Sequence, residues 1–312
     1  MDARRVQALG KKLETWIRNA NHKIMDDLPL ERYGELVRKY PFTSSYKYVS
    51  AEVRRFCDAI LMSSNGHVLE LYNKWLLVWL IEKAVSGGLA GLNVPGEIKT
   101  LYCMNFERIM REIEFSENEP GFYMHYEDRF LRELGVCSLR VIPAGAQKIS
   151  LSPLPMVFLF REGVSQFISG MSFLLFDLKG FKRFYSMHTD SHDPYLISEF
   201  NADGWRRYLV RTAELLKLNP TVSGMFGRSW FIDPQLEKIS PKVCYVRRLV
   251  FESGGRIFYA GPAVDGIQDA VYKSPTRKKL YDDGKYIPRE YIGIWPRKKL
   301  IGWAEGQKAL SG

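Results

Sequence analysis

Chemistry-bearing side chains gather most densely at His188-Thr189-Asp190-Ser191-His192-Asp193-Pro194, where two imidazoles and two carboxylates follow an apolar run. In an extended strand, side chains alternate between faces, so His188 and Asp190 would share one, with His192 and Asp193 brought back by the loop. Imidazole and carboxylate together suit either proton transfer near neutral pH or a zinc, iron or manganese ion. Two further pairs, His67-x-x-Glu70 and His125-x-x-Asp128, would each put two polar groups on one helix face. Such pairs read more simply as surface or capping groups than as ligands, since carboxylate-bridged centres use glutamate before histidine and glutamates from other helices. No metal is therefore expected. A phenol stands apart from these: Tyr281, three residues ahead of Gly284 in Lys278-Lys279-Leu280-Tyr281-Asp282-Asp283-Gly284-Lys285-Tyr286.

The elements that must position these groups divide the chain in two. Up to about residue 136 the apolar residues recur at helical steps, as in Val6, Leu9, Leu13 and Ile17. Further helices are expected over Leu30 to Val37, Ala51 to Met62, Val68 to Val85, Ile98 to Ile113 and Tyr123 to Leu134. Gly87-Gly88 and Gly135 supply the positive backbone angle of a helix exit.

Beyond Gly135 the pattern turns to short apolar runs. Strands are expected at Cys137 to Ile142, Met156 to Phe160, Ser169 to Phe176 and Phe181 to Met187, the last two joined by a hairpin turn at Asp177-Leu178-Lys179-Gly180. Gly204 to Leu218 reads as a helix stopped by Pro220, and Val222 to Ile232 as a strand. In that strand Gly224 and Gly227 imply a bulge or a close backbone approach. Ser240-Pro241 and Ser274-Pro275 each pair a favoured cap with proline at the first helical position, and Gly254-Gly255 and Gly284 close the two helices. Arg256 to Ala260 and Tyr291 to Trp295 are the remaining strands.

The 312 residues are 46% hydrophobic, enough for a large core and against disorder. The longest apolar runs, Trp75 to Ile81 and Met156 to Phe160, fall far short of the roughly 20 residues of a membrane span. Arg4, Arg5, Lys11 and Lys12 occupy the start where a secretory leader would be apolar, so a cytoplasmic protein is expected. Cys57, Cys103, Cys137 and Cys244 are scattered among apolar neighbours and read as small buried hydrophobes. The net charge of +10 implies an anionic partner, without choosing between nucleic acid, a phosphorylated ligand and an acidic protein.

From about residue 155 to 300, this order of elements, together with the tyrosine-bearing segment Leu280 to Tyr286, resembles the GNAT N-acetyltransferase superfamily. The resemblance implies a GNAT-like mixed β-sheet flanked by helices over residues 137–312, and with the helical domain over residues 1–136 packed on it an α+β fold is expected. It implies transfer of an acyl group from an acyl-CoA thioester to an amine. Tyr281 would protonate the departing thiolate, and His188 or Glu199 would take the acceptor's proton. Lys238, Ser240 and Lys242 would hold the pyrophosphate at a helix start, although Gln235-Leu236-Glu237-Lys238-Ile239-Ser240 has none of the glycines the family places there. Two other readings stand beside it. One is a non-enzymatic protein binding nucleic acid or an acidic partner through its basic C-terminal face, where Tyr291 to Lys299 interleaves aromatics and cations. The other is a metal-dependent enzyme using the His188 to Asp193 cluster.

Overall fold

The computed structural model describes residues 2–39, 50–116, 127–180, 183–264 and 266–311, and divides into two compact units, Met1–Pro143 and Ala144–Gly312.

The first unit is helical. Helix α1 (Ala3–Ala20) begins at Asp2, whose carboxylate accepts from Arg4 N at 2.9 Å, and it buries the stripe Val6, Leu9, Leu13 and Ile17 anticipated from spacing. A short α2 (Ile24–Asp27) leads to α3 (Leu30–Lys39). Helix α4 (Ala51–Ser63) is capped by Ser50, and α5 (Gly66–Lys83) by Asn65. Helix α5 is buried on almost every side, which explains why its apolar residues show little one-sided periodicity. It reaches a π turn at Ala84–Gly88, where Gly87 takes a φ of +151° as its sequence position implied. The chain then resumes as α6 (Leu89–Gly91) and α7 (Gly96–Phe115).

Helix α8 (Asp128–Cys137) departs from expectation. It runs through Gly135 and ends where Leu139, at a φ of +59°, lets Arg140 N donate to the Gly135 carbonyl at 2.9 Å. The strand expected from Cys137 is accordingly only β1 (Val141–Pro143). The proposed helix start at Tyr123 lies outside the described residues.

Five strands belong to the second unit, in the order β2-β3-β4-β6-β5: β2 (Lys148–Pro153), β3 (Arg183–His188), β4 (Val222–Ser229), β5 (Arg256–Pro262) and β6 (Arg289–Pro296). All neighbours are antiparallel except β3 and β4, which run parallel. Strand β2 was not anticipated, because its buried positions include Lys148 and Ser150 as well as Ile149.

One sheet face carries Phe184, Phe226, Phe258, Ile292 and Ile294, covered by a 3-10 turn at Met156–Phe160, helix α9 (Gly163–Ser172) and a π turn at Phe173–Asp177. The strands expected at Met156 to Phe160 and Ser169 to Phe176 are therefore helical turns. Gly180, expected in a hairpin, instead closes the π turn by donating to the Leu174 carbonyl at 3.1 Å. Gln166 pins α9 to edge strand β5: its Nε2 donates to the Tyr259 carbonyl at 2.9 Å, and its Oε1 accepts from Tyr259 N at 2.9 Å. A side-chain amide thus stands where another strand would pair.

Alternation sends Met225 and Trp295 to the opposite face, where α11 (Ala202–Leu218, following α10 at Pro194–Ser198), α13 (Tyr245–Glu252, following α12 at Leu236–Ile239) and α15 (Arg297–Ser311, after α14 at Pro275–Asp282) pack. Trp295 is fully buried, and its indole N–H donates to Ser253 Oγ at 2.8 Å. A buried aromatic of this size contributes about 1.5–3 kcal/mol. The basic run Arg297-Lys298-Lys299 opens α15, and Arg297 donates to the Leu216, Asn219 and Val222 carbonyls, satisfying acceptors at and beyond the end of α11.

Candidate functional site

The parallel strands β3 and β4 pair only as far as Ser186 and Phe226. Past that point Met187 and His188 pair with Ile149 and Lys148 of β2, whereas Gly227, Arg228 and Ser229 pair with Gly293, Ile292 and Tyr291 of β6. The two strands are each held to an outer neighbour and no longer to one another. Parallel strands joined by a helix leave a crevice at their carboxyl ends, and ligands of open α/β sheets bind there. Met187 reaches across this gap: a Cβ on Gly227 would stand 2.2 Å from Met187 Cε. The bare backbone noticed in the sequence of β4 is thus explained by a side chain at Gly227. At Gly224 it is explained by Trp295, whose carbonyl oxygen would be 2.0 Å from a Cβ.

Aromatic rings line this end of the sheet. Phe200, just before α11, lies with its ring centroid 5.1 Å from that of Phe231 and 5.9 Å from that of Trp205, and Trp230 stacks on Phe231 at 4.0 Å. Phe200 and Phe231 are both half-buried. Asn201 starts α11 by accepting from Gly204 N at 3.0 Å, and Gly204 is required because a Cβ there would lie 2.0 Å from the Glu199 carbonyl oxygen. The first turns of α11 carry Arg206 and Arg207, roughly half exposed.

His188 closes β3 with its Nε2 2.7 Å from Ser150 Oγ, a cross-strand contact that fixes the ring. The loop after it is built around Lys148, whose Nζ lies 2.7 Å from Asp190 and 3.1 Å from Asp193, all three side chains almost wholly buried. Asp193 also accepts from Tyr195 N and Leu196 N to cap α10. This corrects the metal reading of His188 to Asp193: the carboxylates converge on an ammonium, and His192 stays largely exposed. Among the described residues, no three His, Cys, Asp or Glu side chains are arranged to hold a metal ion. In the first unit Glu70 turns inward to Lys74 at 3.0 Å while His67 is exposed, and His125 lies outside the described residues.

Glu199, read as an alternative base, sits 2.7 Å from Arg211 Nη1 and 3.4 Å from Arg207 Nη2. Both of its carboxylate oxygens are thus engaged by guanidinium groups. Its backbone contact with Gly204 gives it a structural part in setting the approach to α11.

The segment expected to cradle an anion is closed. Ser240 does not cap a helix; α13 starts only at Tyr245, after a 3-10 turn at Pro241–Val243. Ser240 N donates to the Leu236 carbonyl at 2.8 Å, Val243 N to Ser240 and Cys244 N to Pro241. Ser240 Oγ accepts from Arg277 Nη1 at 3.1 Å, and that guanidinium also lies 4.8 Å over the Trp230 ring. Lys238 and Lys242 point to solvent on either side. The physical reason is local: the chain passes through α12 and a 3-10 turn whose own hydrogen bonds take these amides, whereas the long helix between β3 and β4 is α11.

Helix α14 begins with Ser274 accepting from Arg277 N and ends near Gly284 at a φ of +68°, as expected. Tyr281 is half-buried against the cluster of Trp230, Leu236, Cys244, Ala270, Val271 and Tyr286. Tyr286 is fully buried, and burial together with the nearby Asp233 raises its phenol far above the ordinary range. Tyr281 and Ser240 thus flank one cluster following β4, while His188 ends β3 and Glu199 lies in the segment after it.

The basic C-terminal face is interrupted by acids. Lys273 meets Asp269 at 2.6 Å, Lys278 meets Asp282 at 2.6 Å, and Lys285 meets Asp283 at 3.4 Å. Strand β6 is paired on both sides and Trp295 is buried, so the aromatics interleaved with cations do not form an exposed stacking surface.

No family model and no curated protein matches the sequence. Among solved structures, the fold is similar to that of an acyltransferase in complex with decanoyl-CoA, at 13% identity and a TM-score of 0.51, over 86% of this chain and 76% of that one. An acyltransferase mutant in complex with octanoyl-CoA and an acyltransferase in complex with CoA and 10C-Teicoplanin were also found, at 12% and 11% identity and TM-scores of 0.48. The first likeness extends well beyond residues 155 to 300, and it is one of fold.

Proposed function

We propose that this chain is an acyltransferase with a GNAT-like second unit, moving an acyl group from a coenzyme A-type thioester to an amine. The observation that carries the reading is the parting of β3 and β4 beyond Ser186 and Phe226. Strand edges that no longer pair with each other can pair with the amide-bearing arm of such a thioester, whose own N–H and C=O groups are suited to strand edges, when the Met187 side chain that spans the gap swings aside. The fold likeness to an acyltransferase complexed with decanoyl-CoA supports the same donor.

In this reading the acyl group lies against Phe200 and Phe231, and the donor's phosphates lie toward the first turn of α11, with Arg206 and Arg207 as counter-charge. Lys238, Ser240 and Lys242 have no part in it, because the amides around Ser240 are spent on their own turn.

The Ser150–His188 pair takes the acceptor amine's proton as nitrogen attacks the thioester carbonyl. When the tetrahedral intermediate collapses, the C–S bond breaks, the C–N bond of the amide remains, and the thiolate takes a proton from the Tyr281 phenol. The support for Tyr281 is its packing against the cluster that contains Trp230, the residue directly after β4.

Thiol release from decanoyl-CoA, measured across a panel of amines, tests the proposal. The expected result is amine-dependent release and a thermal shift with the thioester. His188→Ala and Tyr281→Phe should lower turnover while retaining the shift. Neither release nor shift with any acyl-CoA would overturn it.

A further inference from the structure

We infer that the outward face of α9 and the turns on either side of it dock on an anionic lipid surface. The observation is independent of the acyltransferase reading, since this face points away from the sheet. Phe160, Val164, Phe167, Ile168, Leu175 and Phe176 line it, with Phe160 at 71%, Val164 at 73%, Ile168 at 61% and Phe176 at 78% exposure. Val164, Phe167 and Ile168 recur at the spacing of one face of α9, the Phe160 ring centroid lies 5.5 Å from that of Phe167, and Leu175 and Phe176 extend the exposed apolar ridge into the π turn, so these are not scattered single residues.

Looseness does not account for the exposure. The opposite side of the same segment buries Phe158, Leu159, Phe173 and Leu174 in the sheet core, and Gln166 bonds both the N–H and the carbonyl of Tyr259. Gly170 allows this close seating, since a Cβ there would lie 2.4 Å from Leu159 Cδ2. The apolar ridge is held outward by a rigid base.

Charge selects the occupant. Arg161 flanks the ridge at its N-terminal end, beside Gly261 of β5. At the other end Lys179 and Arg183 are exposed, and Arg256 covers Phe173 while answering Asp177 at 3.6 Å. Of the two acids in the segment, Glu162 and Asp177, the second is thus already neutralised. A convex apolar ridge with cations at both ends matches the acyl–headgroup boundary of a bilayer containing anionic lipid, where apolar side chains enter and arginine and lysine meet phosphate. The whole chain's charge of +10 favours the same surface. No described helix is long and apolar enough to cross a membrane, so the contact is peripheral.

The test is co-sedimentation of the full chain with vesicles of phosphatidylcholine alone and of phosphatidylcholine with one quarter phosphatidylglycerol. The wild type should pellet with the anionic vesicles and weakly with the neutral ones. Ile168→Ser/Phe176→Ser, both exposed changes, should reduce partitioning at least tenfold with the melting temperature unchanged, and Arg161→Glu/Lys179→Glu should abolish the preference for anionic lipid. Wild-type protein that stays in the supernatant, or serine variants that pellet as well as wild type, would overturn the inference. So would a wild-type dimer that the serine variants dissociate, because the ridge would then be a contact between copies of the chain.

Discussion

Gly227 of β4 and Met187 of β3 face each other across the point where the two parallel strands separate, and a Cβ on the glycine would stand 2.2 Å from Met187 Cε and 3.1 Å from Met187 Cβ. The methionine end can swing, but its Cβ is fixed by the strand. Gly227→Ala is therefore expected to destabilise by about 1–3 kcal/mol, the usual range for overpacking. Met187→Gly, which removes the fixed Cβ as well as the swinging end, should remove most of that cost, so the double variant should lie well above the sum of the singles in denaturant titration.

Gln166 replaces a missing strand at the sheet edge. In Gln166→Leu the Tyr259 N–H and the Phe158 and Tyr259 carbonyls lose their partner under a helix that still covers them. A loss of about 2–3 kcal/mol is expected, since an unsatisfied buried group costs about 1–3 kcal/mol. Hydrogen exchange should accelerate at Tyr259 before it does in β4 or β6.

Lys148 holds Asp190 and Asp193 together in a buried knot. Lys148→Met leaves two carboxylates without their cation and should cost about 3–5 kcal/mol, as for a broken buried pair. Adding Asp190→Asn and Asp193→Asn should restore part of the stability. A single variant within 1 kcal/mol of wild type by denaturant midpoint would mean the knot is solvated.

Burial pushes the Cys57 thiol up to about 11, against Tyr33, whose phenol is raised further by the same cause. The folded state favours the neutral thiol. This contribution is complete below the unfolded thiol's pKa of about 8.5 and is lost as pH rises toward the folded value. Stability should fall between about pH 9 and 11, and Cys57→Ala should flatten that fall. Iodoacetamide at pH 8 should label the half-buried Cys103 ahead of the buried Cys57, Cys137 and Cys244, as mass spectrometry would read.

The sequence discloses elements whose two faces differ. In α1 the four buried residues were evident because they recur at three- and four-residue steps with lysine and arginine between them, and Ser274-Pro275 and Gly284 bounded α14 because caps are local. Between 156 and 177 the signal failed for a physical reason. Phe173 and Leu174 point inward and Leu175 and Phe176 outward, so apolar residues cover both sides and neither a period of two nor one of 3.6 emerges. Strand β2 was hidden by a buried lysine and a buried serine that make sense only once Asp190 and His188 are beside them.

The candidate site was legible in part. His188 and Gly227 were noticed through their residue types, but the parting of β3 from β4 is a relation between distant segments that no local pattern carries. The resemblance implied an anion cradle at Ser240, where Ser-Pro gives a local cap signal. Arg277, 37 positions away, takes the Ser240 hydroxyl instead.

Hydrogen exchange read by mass spectrometry, with and without decanoyl-CoA, tests the central claim most directly. Protection is predicted at residues 186–190, 200–204 and 227–231, which border the separated ends of β3 and β4. Protection confined to residues 236–244, or no protection anywhere at saturating thioester, would contradict it.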